Sequence, residues 1–450
     1  MQTQPELMQE VVELIAQLDW PAERLAASRQ AGLRALVAHA KQHSSFYARR
    51  LAKLDPASLT EADLASVPPL DKAELMQHWD EIVTAPELSL ERCEAHLETV
   101  THDDLRLDGY RVFATGGSTG LRAVVPYSDD EWALFRLAMR RRVFQTMMRL
   151  GAEPQPDPVV AQVQASAPTH MSGMAGVDMA GVSMRPLPAS LPLAEIVEAL
   201  NELQPSALAA YASCLRMLAD EALCGRLDVS PACILSGGEP LTSEDMATVQ
   251  QAWEVPVFDA YGTSEVGMIA NSDGETPGLY LNDDLVIAEP VDADGRPVAP
   301  GKRSAKLYAT PLYHRTLPLL RYEVTDEITL LDEPCPHGSS FRRIAHVEGR
   351  LDDCFTYGGG VRIHPIVFRS ALTRDRSISA YQVRQSERGA AIQVQAGSSV
   401  DCASLARTIE QGLAKAGLAE PRVSVEQVTS IERTHHGAKL KRFLKLDSTA

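Results

Sequence analysis

From about residue 110 the chain alternates short apolar runs, each ending in small polar residues, with helical stretches. The runs include VVAQVQ (159–164), ACILS (232–236) and PVFDAY (256–261), and the helical pattern is clearest in LAEIVEALNEL (193–203). Strands separated by helices must return in the same direction, so this pattern predicts a largely parallel sheet covered by helices. The expected fold class is α/β: a large, multi-layer N-terminal domain with mainly parallel sheets, plus a small mobile α+β domain at the C-terminus.

The flanks differ in texture. In the first hundred residues, Leu33, Leu36, Val37 and Ala40 repeat at helical spacing. Pro68-Pro69-Leu70 then stops the chain, and Asp71 is placed to cap a helix starting at Lys72. Between 280 and 347 short strands and turns are expected, as in DADGRPVAPGKRSAKLYAT. In the last hundred residues VRIHP, AYQVRQ, AAIQVQA and RVSVEQV read as strands, with helices near 365–373 and 403–416, roughly βαββαβ. The expected division is 1–348 for the large domain, 349–353 for a hinge and 354–450 for a lid.

Charge narrows the partners. Acidic residues outnumber basic ones to give a net charge of −17, which disfavours a protein that coats nucleic acid or an anionic membrane. The seven cysteines form no CxxC pair and read as thiols of a reducing compartment. The start, MQTQPELMQEVVELIAQLDW, is acidic where a signal peptide is basic. No run approaches the length of a membrane helix, so a cytoplasmic location is expected.

Three glycine-containing runs carry the candidate chemistry. Ala114-Thr115-Gly116-Gly117-Ser118-Thr119-Gly120 offers backbone N–H groups and hydroxyls that can converge on phosphate oxygens, with either a nucleotide loop or a plain surface turn open. It is not a Walker A loop, because Leu121-Arg122-Ala123 follows. Ser236-Gly237-Gly238-Glu239-Pro240 and Asp259-Ala260-Tyr261-Gly262-Thr263-Ser264-Glu265 each follow a strand, the position where parallel sheets bind ligands. There Tyr261 can stack on a base and Glu265 can hold a divalent cation. Asp326, after the run Arg321-Tyr322-Glu323-Val324-Thr325, is suited to the hydroxyls of a ribose. Gly349-Arg350-Leu351-Asp352-Asp353 and Gly437-Ala438-Lys439-Leu440-Lys441-Arg442 complete the set.

In this order the runs resemble the adenylate-forming (acyl-activating) enzymes, in their phenylacetate–CoA ligase-like branch. The resemblance spans nearly the whole chain, including SSFYARRL and SVPPLDKAEL near the start. It implies that a carboxylic acid is activated by Mg·ATP as an acyl-adenylate with release of pyrophosphate. The small domain then rotates, and a thiol takes the acyl group, that of coenzyme A or of a carrier-protein phosphopantetheine. It implies a catalytic set of Lys439, Glu265 and Thr119, with Glu265 holding the magnesium of Mg·ATP. Thr115, Gly117, Ser118, Gly237, Gly238, Glu239, Pro240, Asp259, Ala260, Tyr261, Gly262, Thr263, Asp326 and Arg350 would form the nucleotide site, and Asp352 the hinge pivot. The acyl pocket would draw on His170, Met174, Tyr211 and Gly238, with Met171 beside them. Methionines next to a ring suit an aromatic acid, although ordinary core packing is the first expectation for Met174 and Tyr211, and His170 reads equally as a satisfied loop histidine.

The chain departs from the family pattern in three places. Arg122 stands near the usual loop lysine. Ala438 interrupts the usual Gly-Lys, which leaves Lys441 as the alternative to Lys439. The stretches that hold a structural zinc in some members read Ala270-Asn271, Gly278-Leu279-Tyr280 and Cys335-Pro336-His337. A closed zinc site needs four ligands, so no structural zinc is expected. Two other readings stand beside acid–thiol ligation: transfer of AMP to a phenolic hydroxyl, as in some relatives, and a nucleotide-binding protein that has lost the second half-reaction. The partners expected are a small-molecule carboxylic acid and, as the alternative acceptor, an acyl carrier protein; a homodimer is the assembly considered.

Overall fold

A computed structural model describes residues 12–102, 104–115, 122–152, 157–165, 168–174, 182–189, 191, 193–345, 347, 355–358, 361–363, 366–372, 375, 377–431 and 442–446. The first long helix, α1 (Ala22–His43), buries Leu33, Leu36, Val37 and Ala40 completely, the stripe its spacing dictates. Asp71 caps α2 (Lys72–Gln77): its carboxylate accepts the Glu74 N–H at 2.8 Å. Strands β1 (Tyr110–Ala114) and β2 (Val124–Tyr127) form an antiparallel pair, and α3 (Asp129–Arg149) follows with a capping box from Ser128 and Glu131.

The alternating region then builds the main sheet. Its strands are β3 (Val159–Gln164), β4 (Ser183–Pro188), β5 (Ala207–Ala210), β6 (Cys233–Gly237) and β7 (Val257–Thr263). Helices α4 (Leu193–Leu203), α5 (Ala212–Leu223) and α6 (Ser243–Trp253) connect them. These five strands are parallel, in the order β4-β3-β5-β6-β7. Three antiparallel strands extend the sheet: β8 (Gly267–Asn271), β9 (Leu279–Leu281) and, late in the chain, Arg343–Ile344. A parallel sheet buries both faces. Ala161, Val163, Leu208 and Ile234 pack on one side with α4 and α5, while Val160, Ala207, Cys233 and Phe258 pack on the other with Val143 and Met147 of α3.

Strands β10 (Val286–Val291), β11 (Lys306–Pro311) and β12 (Tyr322–Val324) make a small antiparallel sheet, the strand-and-turn texture expected for 280–347. The C-terminal region follows the expected order of elements, with short helix Ile366–Leu372, strands β13 (Ile378–Ser386) and β14 (Gly389–Ala396), helix α7 (Cys402–Lys415) and strand β15 (Arg422–Gln427). One apolar core, including Phe355, Phe368, Val383, Ile392, Ile409 and Phe443, draws only on this region. No described helix is long and apolar enough to cross a membrane.

Candidate active site

Two of the candidate loops are neighbours because their strands are. Ser236 pairs in register with Asp259, and Gly237 with Ala260, so the loops after β6 and β7 leave the same end of the sheet side by side. Gly238 takes φ +80° there, a conformation that favours glycine. One Glu239 carboxylate oxygen accepts the Ser213 N–H at 3.0 Å in the first turn of α5, where helix N–H groups favour negative charge. The loop is thereby tied to the next helix, with Gly238 and Pro240 exposed.

The β7 loop is fixed more tightly. A side chain at Gly262 would meet the Gly267 carbonyl at 2.4 Å, so only glycine allows the hairpin with β8 to close here. Thr263 Oγ1 accepts the Val266 N–H at 3.1 Å and shapes the turn. Tyr127 at the end of β2 is fully buried, stacks on His314 at 4.2 Å and donates its hydroxyl to the Ser264 carbonyl at 2.9 Å. That bond joins the strand returning from the glycine-rich run to the turn carrying Glu265.

Tyr261 and Asp326 are 65 residues apart in sequence, yet the Tyr261 hydroxyl donates to the Asp326 carboxylate at 2.9 Å, and both are buried. Glu265, only 4% exposed, accepts from the Tyr322 hydroxyl at 3.1 Å and pairs with the Lys72 ammonium at 3.1 Å. Tyr261 is thus bonded to Asp326, while Glu265, four residues on in the same run, is held by a separate pair of contacts. Asp259 in β7 is 9% exposed; burial pushes its carboxyl up to about 7, against the opposing hydrogen bond from the Ala260 N–H.

At the glycine-rich run the described stems close on each other. The Thr115 N–H donates to the Ala123 carbonyl at 3.0 Å, and Thr115 Oγ1 accepts the Ala123 N–H at 2.8 Å. Arg122 beside them is exposed. Gly117, Ser118, Thr119, Arg350, Asp352, Lys439 and Lys441 lie outside the described residues. Arg442, the last residue of the C-terminal basic run, sits 5.1 Å over the Tyr381 ring. Burial opposes its charge, but Tyr381, Asp245 and Glu239 more than offset this and raise its pKa.

The residues expected at the acyl pocket separate into two groups. Met171 and Met174 are buried in the same apolar cluster as Tyr261, and His170 before them is half-buried. Tyr211 is instead wholly buried in the core on the α4–α5 side of the sheet. Its hydroxyl accepts the Ala165 N–H at 3.1 Å, where the segment leading to His170 leaves β3. Tyr211 therefore anchors that segment and does not join the methionines.

In the stretches compared with a zinc site, the Asn282 side chain donates to Asn271 at 2.7 Å, and the Tyr280 hydroxyl lies 3.1 Å from Cys335 Sγ. Among the described residues no group of three or more His, Cys, Asp or Glu could hold a metal ion. Glu265 fits a different need. Magnesium commonly takes one or two protein carboxylates and completes its shell with phosphate and water, and the Glu265 carboxylate in the β7 turn is a donor of that kind.

The family model of the AMP-binding enzymes matches residues 7–304. The chain belongs to that family. Within that family, the proteins it resembles include phenylacetate–coenzyme A ligases. It is 25% identical over 364 residues to a phenylacetate–coenzyme A ligase of Thermus thermophilus, covering 78% of this chain and 76% of the relative. It is 23% identical over 277 residues to one of Pseudomonas putida, covering 60% and 61%. Its fold matches a 2-hydroxyisobutyryl-CoA ligase in the postadenylation state with 2-HIB-AMP, at a TM-score of 0.69 and 19% identity, over 96% of this chain and 91% of that one.

Lys72, Tyr127 and Tyr322 carry no predicted role, although all three hold the Glu265 turn. The one local signal was the Asp71 cap, which places Lys72 at the start of α2.

Proposed function

We propose that this AMP-binding enzyme activates a carboxylic acid with ATP and passes the acyl group to the thiol of coenzyme A. The observation that carries the reading is the contact between Tyr261 and Asp326 at the strand ends, with Glu265 alongside. A ring, an acceptor for ribose hydroxyls and a cation-binding carboxylate then face one nucleotide.

In the first step the carboxylate of the acid attacks the α-phosphorus, and pyrophosphate leaves with the electrons of the broken P–O bond. Little proton transfer is required, so alignment and charge neutralisation carry most of the work. Tyr261 and the Gly237–Gly238 backbone hold the base, Asp326 holds the ribose, and Thr115, Ser118 and Thr119 meet the β- and γ-phosphates. Lys439 neutralises charge between the carboxylate and the α-phosphate. Magnesium held through Glu265 supplies charge stabilisation at the phosphates. In the second step a thiolate attacks the acyl carbon and AMP leaves. The separate core of residues 355–443 supports a lid that turns about Asp352 between the steps.

The acid is proposed to be aromatic, on the strength of Met171 and Met174 packed in one cluster with Tyr261. A carrier-protein phosphopantetheine is the alternative acceptor. Incubation with Mg·ATP, an acid panel and coenzyme A should yield AMP and an acyl-CoA mass that requires the acid. Lys439→Ala should lower adenylate formation at least ~100-fold while ATP binding is kept. AMP appearing on a phenol, with no thioester from any acid, would overturn the proposal.

A further inference from the structure

Lys72 is held opposite Glu265 by more construction than a surface lysine needs. Two residues earlier, the Leu70 N–H donates to the Arg321 carbonyl at 3.1 Å, and the Leu70 carbonyl accepts the Glu323 N–H at 2.9 Å. Leu70 thus pairs as a short parallel bridge with Tyr322 of β12. Arg321 takes a φ of +50°, uncommon for a residue other than glycine, and donates to the Val67 carbonyl at 2.8 Å and the Ala65 carbonyl at 3.3 Å. Asp71 then caps α2, which fixes the direction in which Lys72 leaves the backbone. The strand that pins this segment is also the one whose Tyr322 hydroxyl bonds Glu265.

The electrostatics give the arrangement a purpose. The Glu265 side chain is only 6% exposed and the Lys72 side chain 30%. A carboxylate withdrawn that far from water needs a counter-charge. A divalent cation on the same carboxylate would supply one and would repel the ammonium that lies 3.1 Å from its Oε1. The two cations therefore compete for one group. We propose that Lys72 is the resident counter-ion of Glu265 and gives way when the magnesium of a bound nucleotide reaches that carboxylate. This rests on the nucleotide-site reading above and adds a role for the N-terminal segment: it keeps the site intact without nucleotide and sets how much magnesium is needed to load it.

The test is thermal unfolding of the full chain, as wild type, Lys72→Met, Lys72→Gln and Lys72→Arg, titrated with Mg²⁺ alone, with ATP plus a chelator, and with Mg·ATP. Lys72→Met should melt lower than wild type without ligand, and the Mg²⁺ concentration for half-maximal stabilisation should fall about tenfold. Lys72→Gln keeps a polar group without the charge and should move the same way, which covers the case in which the methionine variant folds poorly. Lys72→Arg should keep the wild-type magnesium dependence. Equal magnesium dependence in wild type, Lys72→Met and Lys72→Gln would overturn the inference while leaving the nucleotide site standing. No stabilisation of any variant by ATP or Mg·ATP would sink the nucleotide-site reading and the inference with it.

Discussion

The two halves of the candidate site are built by different physics. On the nucleotide side, polar contacts between residues distant in sequence fix each group: Tyr261 to Asp326, Tyr322 and Lys72 to Glu265, Tyr127 to the Ser264 main-chain carbonyl. On the acyl side, Met171 and Met174 are held by packing as far as the described contacts go, and Tyr211 acts from a different apolar core, with a bond to the Ala165 N–H. Hydrogen bonds and buried charges tolerate little change of geometry. Apolar packing tolerates exchange of shape at constant volume. Under the proposed function, the chemistry would be rigidly specified and the acid loosely, so that substrate choice could vary while the reaction stays the same.

Substitutions on each side should behave accordingly, and the largest effect belongs to the charged group. Glu265→Gln should lower acid-dependent pyrophosphate exchange ~1,000-fold, about 4 kcal/mol in the transition state, with the KM for the acid nearly unchanged. A comparable rise in the acid KM would merge the two halves that the contacts separate. Asp259→Asn comes next, and it reads stability. The folded carboxyl is raised above its unfolded value of 3.8 to about 7, so the folded state holds the extra proton between those values. Wild-type stability should fall as pH rises through that window. Asparagine removes the dependence and should gain on the order of 3 kcal/mol over wild type at pH 8, with the gain vanishing near pH 4. Urea unfolding at several pH values measures it, and a pH-independent difference would contradict the burial argument.

Met174→Ala should cost about 2–3 kcal/mol of stability through the cavity it leaves. It should also reorder activity across a panel of acids while leaving the ATP KM within about twofold of wild type. Tyr261→Phe, the smallest change, removes one hydroxyl from Asp326. It should raise the ATP KM about fivefold, near 1 kcal/mol, with acid preference unaltered. If Met174→Ala and Tyr261→Phe moved the same parameter, the contrast between the halves would fail.

The same contrast explains what could be read from the sequence. Local patterns were enough for the scaffold: VVAQVQ forms β3 at 159–164, LAEIVEALNEL forms α4 at 193–203, and Asp71 caps α2. Register did the rest for the loops, since adjacent parallel strands had to bring the runs at 236 and 259 together. What spacing could not give was the partner of each side chain. Nothing local links Lys72 to Glu265, or Tyr127 to Ser264, because those contacts exist only after the N-terminal segment has paired with Tyr322 and β2 has folded beside the β7 turn. Tyr211 shows the converse. The family resemblance puts it in one pocket with Met174, but Tyr211 packs in the α4–α5 core while Met174 packs in the separate cluster that holds Tyr261.

The most direct test of the central claim is exchange of labelled pyrophosphate into ATP by the purified protein with Mg²⁺, run with and without each member of a carboxylic-acid panel. The account predicts exchange that depends on an acid and collapses in Glu265→Gln, with aromatic acids ahead of small aliphatic ones. Exchange that ignores the acid, or none with any acid while ATP still binds, would contradict it.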